Sequence, residues 1–348
     1  MNSFKGRRVV ICDYPSKYLF PPEGYGGIER WLWAVVVASI NLGMQVILLG
    51  PRWRHELLLQ AEYFPDSIID VTTEDFLSRI GHVDFLVGGH EYWLNEIMIN
   101  KFDKIANFSL TYQHSSSPSY KNNTFNNKNR FLFCYSDEMR GLFFNQHPTK
   151  LLCVASGVNE EPIKMGNKNY LVSIGRIDTD KSPHYAILAA NKLNLPIYVL
   201  GEDIKKDGYI EKYKKVFDSP RLYMKGTVSG SEKMKLIAGA CCGVYTKGPE
   251  YIEPAAGTIA EIIRSGIPLA GISWSGNDAV CEPINLDNRL GYIAKCNKED
   301  AENDVVEKLT QAIRLSMKLD RAYIFIKGND IYNPKELVKQ MYLRAINA

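Results

Sequence analysis

The amino-acid sequence predicts an α/β protein built from two doubly wound domains of similar size with a cleft between them. Three observations carry that expectation. The 348 residues, 45% hydrophobic and 23% charged, supply enough apolar material for about two cores at roughly 100–200 residues per domain. Short apolar runs recur between helix-compatible stretches, as the strands of a parallel sheet buried on both faces do. The pattern also restarts: after a break at Glu161–Lys168, Tyr170–Ile174 reads as a new first strand.

The first strand is Arg8–Cys12, followed by a Pro/Gly-rich loop from Pro15 to Gly27 and an apolar helix from Ile28 to Leu42 that Gly43 stops. Gln45–Leu49 closes this βαβ unit. Val83–Val87, Phe108–Tyr112 and Phe131–Tyr135 continue the sheet, and the polar, aperiodic segment Ser115–Arg130 is a long loop expected to be mobile. In the second half the strands are Tyr170–Ile174, Ile197–Leu200, Arg221–Lys225, Gly243–Thr246, Pro268–Gly271 and Gly291–Ala294, with helices such as Ser182–Leu193 and Ser231–Ala238 between them. The expected division is residues 1–163, then 164–330, with a terminal segment 331–348 whose helix, Asn333–Ile346, packs back on the first domain.

Charge excludes several function classes. With 42 Lys and Arg against 39 Asp and Glu, net +3, the chain has no bulk attraction to nucleic acid or anionic lipid, so any anion is met locally. Seven scattered cysteines without a CxxC pair indicate neither a disulfide framework nor a zinc ribbon, and free thiols fit a cytoplasmic protein. The apolar run Val9–Cys12 behind Lys5, Arg7 and Arg8 is too short for an export signal. Trp31–Ile40, the longest apolar segment, falls well below the roughly 20 residues of a spanning helix. At most a peripheral membrane contact is expected, for which Arg52-Trp53-Arg54-His55 is the candidate patch, a solvated loop being the plainer reading.

Three segments carry chemistry. Gly24-Tyr25-Gly26-Gly27-Ile28-Glu29-Arg30 stands between the first strand and its helix, where backbone N–H groups suit a phosphate. A dinucleotide fingerprint would need a third glycine where Glu29 stands, which weakens a dehydrogenase reading. In Gly175-Arg176-Ile177-Asp178-Thr179-Asp180-Lys181, two cations flank a turn at the carboxyl edge of the second sheet and can clamp a diphosphate, unless they form only a solvated surface pair. The Asp178-Thr179-Asp180 string has the form of a metal-binding DxD but lies inside this cationic loop. The third segment, Glu253-Pro254-Ala255-Ala256-Gly257-Thr258-Ile259-Ala260-Glu261, is followed by Ser265-Gly266-Ile267-Pro268. The helix starting near Gly257 offers N–H groups to phosphate, Glu261 one turn further reaches a ribose diol, and Glu253 accepts from sugar hydroxyls.

Taken in order, the GGIER loop, the GR(x4)K turn, the EPxxGxxxE segment and the SGIP ending resemble the GT-B glycosyltransferases of the retaining GT4 class. The resemblance covers most of the chain, most strongly from Tyr170 to Gly271. It implies that Gly26, Gly27 and Gly175 lie near the diphosphate of the donor, and that Arg176 and Lys181 bind its phosphates. Glu253 would hold the donor sugar and Glu261 the ribose, with contacts from Ala255, Ala256, Gly257 and Thr258. A histidine after a first-domain strand would touch the sugar; His114 in Tyr112-Gln113-His114 has that placement, and His90 is a second candidate. Tyr25, His90 and Trp93 are candidates for the acceptor side, whereas Trp31 reads as core. The chain departs from relatives at Ala255, where they carry a bulky residue, and at Lys247-Gly248-Pro249-Glu250.

The activity so implied is metal-independent retaining transfer of a hexose from a nucleotide-diphosphate sugar, UDP-sugar favoured, to a hydroxyl on a small-molecule, glycan or lipid-linked acceptor, without a cofactor. Two other readings keep the nucleotide grip: a sugar-nucleotide epimerase, which needs acid and base carboxylates, and a binding protein without turnover.

Overall fold

The computed structural model describes residues 4–24, 26–57, 59–65, 74–88, 96–117, 123–152, 169–205, 208–254 and 256–348, with the backbone alone at 74–76 and 96–98. The chain forms two compact units: Met1–Pro22, Gly26–Val158 and Asn333–Ala348 in the first, Glu23–Tyr25 and Asn159–Tyr332 in the second.

The first unit contains β1 (Arg8–Cys12), α1 (Gly27–Asn41), β2 (Gln45–Leu49), β3 (Glu62–Phe64), α2 (Glu74–Ile80), β4 (Val83–Gly88), α3 (Glu96–Phe102), β5 (Ala106–Tyr112), β6 (Arg130–Cys134), α4 (Asp137–Leu142) and β7 (Thr149–Lys150). Its strands are all parallel, in the order β3-β2-β1-β4-β5-β6-β7. Val9 lies opposite Val46 on one side and Phe85 on the other. Covered on both faces, β1 reads as an unbroken apolar run rather than an alternation, and Val9–Cys12 are fully buried.

The second unit contains β8 (Leu171–Ile174), α5 (His184–Leu193), β9 (Ile197–Leu200), α6 (Tyr209–Lys212), α7 (Lys214–Phe217), β10 (Leu222–Gly226), α8 (Gly230–Gly239), β11 (Cys242–Tyr245), α9 (Gly257–Arg264), β12 (Leu269–Ser273), α10 (Glu282–Leu286), β13 (Gly291–Lys295), α11 (Glu302–Ser316) and α12 (Arg321–Ile331). The sheet is again parallel, ordered β10-β9-β8-β11-β12-β13. A core built from β8, β9, β11, α5 and α11 residues, among them Leu171, Val199, Ile187 and Ile313, holds one face of it. Each unit thus repeats the doubly wound order 3-2-1-4-5-6, whose strand order reverses beside its first strand.

The last helix, α13 (Pro334–Ile346), is part of the first unit. Asn333 caps it by accepting from the N–H groups of Lys335 and Glu336. Tyr342 lies buried against Phe85, ring centroids 4.5 Å apart, and its hydroxyl is 2.7 Å from Ser39 Oγ of α1. Two short strands, β3 and β7, were not foreseen, since three and two residues are too few to show a period. The 115–130 segment includes one 3-10 turn, Thr124–Asn126. Among the described residues, no helix is long and apolar enough to cross a membrane.

A tight contact in the second unit fixes where its first loop goes. A Cβ added at Gly201, just after β9, would lie 1.8 Å from the Gly175 carbonyl oxygen. Backbone, not a flexible side chain, would have to yield. Gly201→Ala is therefore expected to lower stability by about 3 kcal/mol or more, measured by urea unfolding.

Candidate functional site

In open parallel sheets, ligands bind beyond the carboxyl ends of the strands where the strand order reverses. In the second unit that place lies between β8 and β11, which pair directly. The loops that follow these two strands carry the GR(x4)K turn and Glu253, and they are stitched together. Thr246 Oγ1 donates to the Lys181 carbonyl at 2.8 Å, and the Gly248 N–H to the Asp180 carbonyl at 2.8 Å. A Cβ at Gly248 would stand 2.6 Å from the Thr179 carbonyl oxygen, so this approach admits only glycine.

The charged groups converge on this seam. Lys181 Nζ donates to Glu253 Oε2 and, at 2.8 Å, contacts the Tyr245 hydroxyl, which itself donates to the same carboxylate oxygen. Glu253 is 2% exposed. Arg176 pairs with Asp178 at 3.2 Å and Asp180 at 2.9 Å, so the DxD string serves the guanidinium here. Asp178 also accepts the Lys181 N–H at 2.9 Å, closing the turn that presents the lysine. The Tyr251 ring lies 4.8 Å from Lys181 Nζ and 6.0 Å from Arg176 Cζ, and shields both cations. Burial, and then the nearby Glu253 charge, push the Tyr251 phenol up, which keeps it protonated. Among the described residues, no group of three or more His, Cys, Asp or Glu side chains is placed to hold a metal ion.

The helix α9 supplies the remaining features. Its N-cap is Ala256, which has no side-chain acceptor to offer, so the first-turn N–H groups of Gly257 and Thr258 are left for an acceptor from elsewhere. One turn on, Glu261 is buried and its Oε1 accepts from Lys233 Nζ of α8 at 2.8 Å. Lys233 shares the inward face of α8 with Ile237.

The first unit holds the other candidates. Gly26 is the N-cap of α1 at φ +143°, where a Cβ would meet Glu29 and Pro22 at 2.8 and 2.9 Å; at Gly27 the same addition meets open space. The buried Glu29 carboxylate accepts from the Tyr14 hydroxyl at 2.5 Å and from Ser16 Oγ, which ties the glycine-bearing loop to the first turn of the helix. His114 lies just past β5 and is largely buried, its ring 4.7 Å from that of Trp31 and 5.8 Å from that of Tyr135. Tyr25, His90, Trp93 and Ala255, together with the expected boundary around residue 160, lie outside the described residues.

Asp13, at the end of β1, was not singled out by the sequence. Its carboxylate accepts the Arg52 N–H at 3.0 Å, and burial raises its pKa from 3.8 to about 7. The folded state thus favours the neutral acid. As pH rises from about 4 to 7 the unfolded chain ionises first, so the folded state loses stability, on the order of 4 kcal/mol in all. Asp13→Asn keeps the acceptor and removes the titration. It is expected to flatten the fall in Tm between pH 4 and 7 and to be the more stable protein at pH 8.

One expectation is corrected. Trp53, read as part of a solvated basic patch, is 5% exposed; its Nε1 donates to the Leu49 carbonyl at 3.0 Å and its ring packs on Phe20. Trp31 is buried, as a core residue should be. Residues that the sequence reading did not single out lie beside these groups: Tyr245, Tyr251, Lys233 and the Lys247–Asp278 pair, fully buried at 3.1 Å.

Two parallel doubly wound units with these loops at the reversal of strand order have the GT-B glycosyltransferase fold, and solved structures of that class align along the chain. No protein-family model matches the chain, and no curated protein matches it in sequence. It is similar to AviGT4, a glycosyltransferase involved in avilamycin A biosynthesis, at 16% identity and TM-score 0.75, covering 98% of this chain and 99% of that one. It is also similar to the catalytic domain of starch synthase IV from Arabidopsis thaliana bound to ADP and acarbose, at 11% identity and TM-score 0.63, covering 99% and 100%. The pneumococcal O-GlcNAc transferase GtfA, in complex with UDP and GlcNAc, gives 13% identity and TM-score 0.54 over 79% of this chain and 60% of that one.

Proposed function

We propose that this chain is a retaining, metal-independent glycosyltransferase that moves a hexose from a nucleotide-diphosphate sugar, UDP-sugar in first place, to a hydroxyl acceptor in the cytoplasm. One observation carries the reading: Arg176, Lys181, Tyr245 and Glu253 meet at the β8–β11 reversal, in the same unit as the uncapped start of α9 and the buried Glu261. The nucleotide-bound structures of similar fold support it.

Each group has a task in this reading. The diphosphate takes the N–H groups at the start of α9 and the positive charge of Arg176 and Lys181, whose present carboxylate partners hold them in place until the donor arrives. Glu253 accepts from the sugar hydroxyls and Glu261 from the ribose diol. As the bond between the anomeric carbon and the phosphate oxygen breaks, its electron pair passes to the phosphate, where the two cations stabilise it. The acceptor oxygen bonds to the anomeric carbon on the same face and gives its proton to the departing phosphate oxygen. No separate protein base and no metal enter this scheme. The acceptor, a small molecule, glycan or lipid-linked sugar, falls to the first unit, with Tyr25, His90 and Trp93 as candidates and His114 near the sugar.

The test is a thermal-shift series with UDP-, GDP- and ADP-sugars, followed by NMR of the product's anomeric configuration. One nucleotide, expected to be UDP, raises Tm, Glu261→Ala abolishes that rise, and the product keeps the donor's anomeric configuration. No shift with any of the three, or an inverted product, contradicts the reading.

A further inference from the structure

Beside the seam lies a second ion pair, Lys247 with Asp278. Lys247 and Asp278 are 1% and 0% exposed and 3.1 Å apart. The lysine stands two residues beyond β11 and the aspartate in the loop after β12. Asp278 is saturated: Oδ2 also accepts from Ser273 Oγ at 2.9 Å, and Oδ1 from the Val280 and Cys281 N–H groups at 3.1 and 3.3 Å. Lys247 Nζ makes a second bond, to the Tyr251 carbonyl at 3.0 Å, while the Lys247 carbonyl accepts from Trp274 Nε1 at 2.7 Å.

Stability alone does not account for such a pair. A buried ion pair is commonly no more stabilising than two apolar side chains of similar size, because both ions must be stripped of water. What apolar side chains cannot supply is the hydrogen bond to Tyr251. Between Thr246 and Pro254 the chain joins no strand; its first half is held by the bonds from Thr246 and Gly248 to the β8 loop. In its second half Glu253 is held by Lys181 and Tyr245, while Tyr251, whose ring lies over Lys181, is held through its carbonyl by the Lys247 ammonium.

We propose that Lys247, oriented by Asp278, is a positioning residue that fixes the Tyr251 backbone and so sets Tyr251 and Glu253 against Lys181 for donor-sugar transfer. This rests on the glycosyl-transfer reading. The bond from Lys247 falls on Tyr251, two residues from Glu253, so it acts on how the donor sugar is held rather than on how the nucleotide is bound.

Two double variants test it. Lys247→Met with Asp278→Leu removes both charges and the bond to Tyr251; Lys247→Gln with Asp278→Asn removes the charges but leaves an amide that can donate to Tyr251. Tm, nucleotide affinity by calorimetry, kcat and KM for the donor sugar are measured for both and for the wild type. The Met/Leu protein is expected to melt below the wild type, because the Ser273 hydroxyl and the Val280 and Cys281 N–H groups lose their acceptor, yet to bind the free nucleoside diphosphate equally once folded, while kcat of the folded protein falls about 30- to 100-fold, the scale of a small misplacement of reacting groups. The Gln/Asn protein is expected to recover kcat to within about fivefold whatever its Tm. A Met/Leu protein that fails to fold, or one that keeps kcat within about threefold of wild type, overturns the positioning role, as does a Gln/Asn protein no more active than Met/Leu. A wild-type protein that neither binds nor turns over any nucleotide sugar overturns the glycosyl-transfer reading itself, and is recognised before any variant is compared.

Discussion

Lys181→Met is expected to slow glycosyl transfer by about 10²- to 10³-fold at saturating donor, the cost of one lost donor at a developing oxyanion. The side chain has no nearby substitute in its role. Its ammonium is bonded to Glu253 and to the Tyr245 hydroxyl, and the Tyr251 ring covers it. Arg176, the other cation of the turn, pairs with Asp178 and Asp180, whereas Lys181 contacts the Glu253 carboxylate. Initial rates measured beside urea unfolding separate the two ways the substitution acts. If the rate falls only in proportion to the folded fraction, Lys181 is a structural partner of Glu253 and nothing more.

The largest stability loss is expected at Lys233. Lys233→Met leaves the Glu261 carboxylate, 3% exposed, in place without the ammonium 2.8 Å away. Stripping one partner from a buried pair costs about 3–5 kcal/mol, because the remaining charge stays desolvated. Adding Glu261→Gln to the same protein removes that charge and is expected to return most of the stability. Urea unfolding of the single and double variants checks this. A single variant within about 1 kcal/mol of the wild type would mean that water reaches Glu261 and the pair is effectively a surface one.

The sequence revealed the fold where burial writes itself into composition. Val9–Cys12 and Val46–Leu49 are uniform apolar runs, and Leu171–Ile174 is broken only by Ser173, because a parallel sheet hides both faces of its central strands. The β10 strand, Leu222–Gly226, falls within one residue of Arg221–Lys225 although it has no β-branched residue and Tyr223, Met224 and Lys225 are exposed at the sheet edge. Of the residues that stand in fixed spacing around glycine turns, Arg176, Lys181 and Glu253 are brought to one seam by the fold.

The site's supporting charges were not legible, for a physical reason. Lysine is almost never fully buried, so Lys233 and Lys247 read as solvent-facing until the structure places Glu261 and Asp278 beside them. For Lys233 a signal existed: it falls four residues before Ile237, on the apolar face of α8. For Lys247 there was none, because its partner is 31 residues away on another loop and only the folded sheet brings them together. Trp53 misled in the opposite sense, with two arginines beside it suggesting water while its ring packs on Phe20.

The most direct measurement is a crystal structure of the protein with UDP, or with whichever nucleoside diphosphate shifts its Tm. The expected density places the diphosphate within hydrogen-bond reach of Arg176, Lys181 and the first N–H groups of α9, and the ribose diol on Glu261. A nucleotide bound elsewhere, or a diphosphate that leaves Lys181 on Glu253 and touches neither cation, contradicts the account.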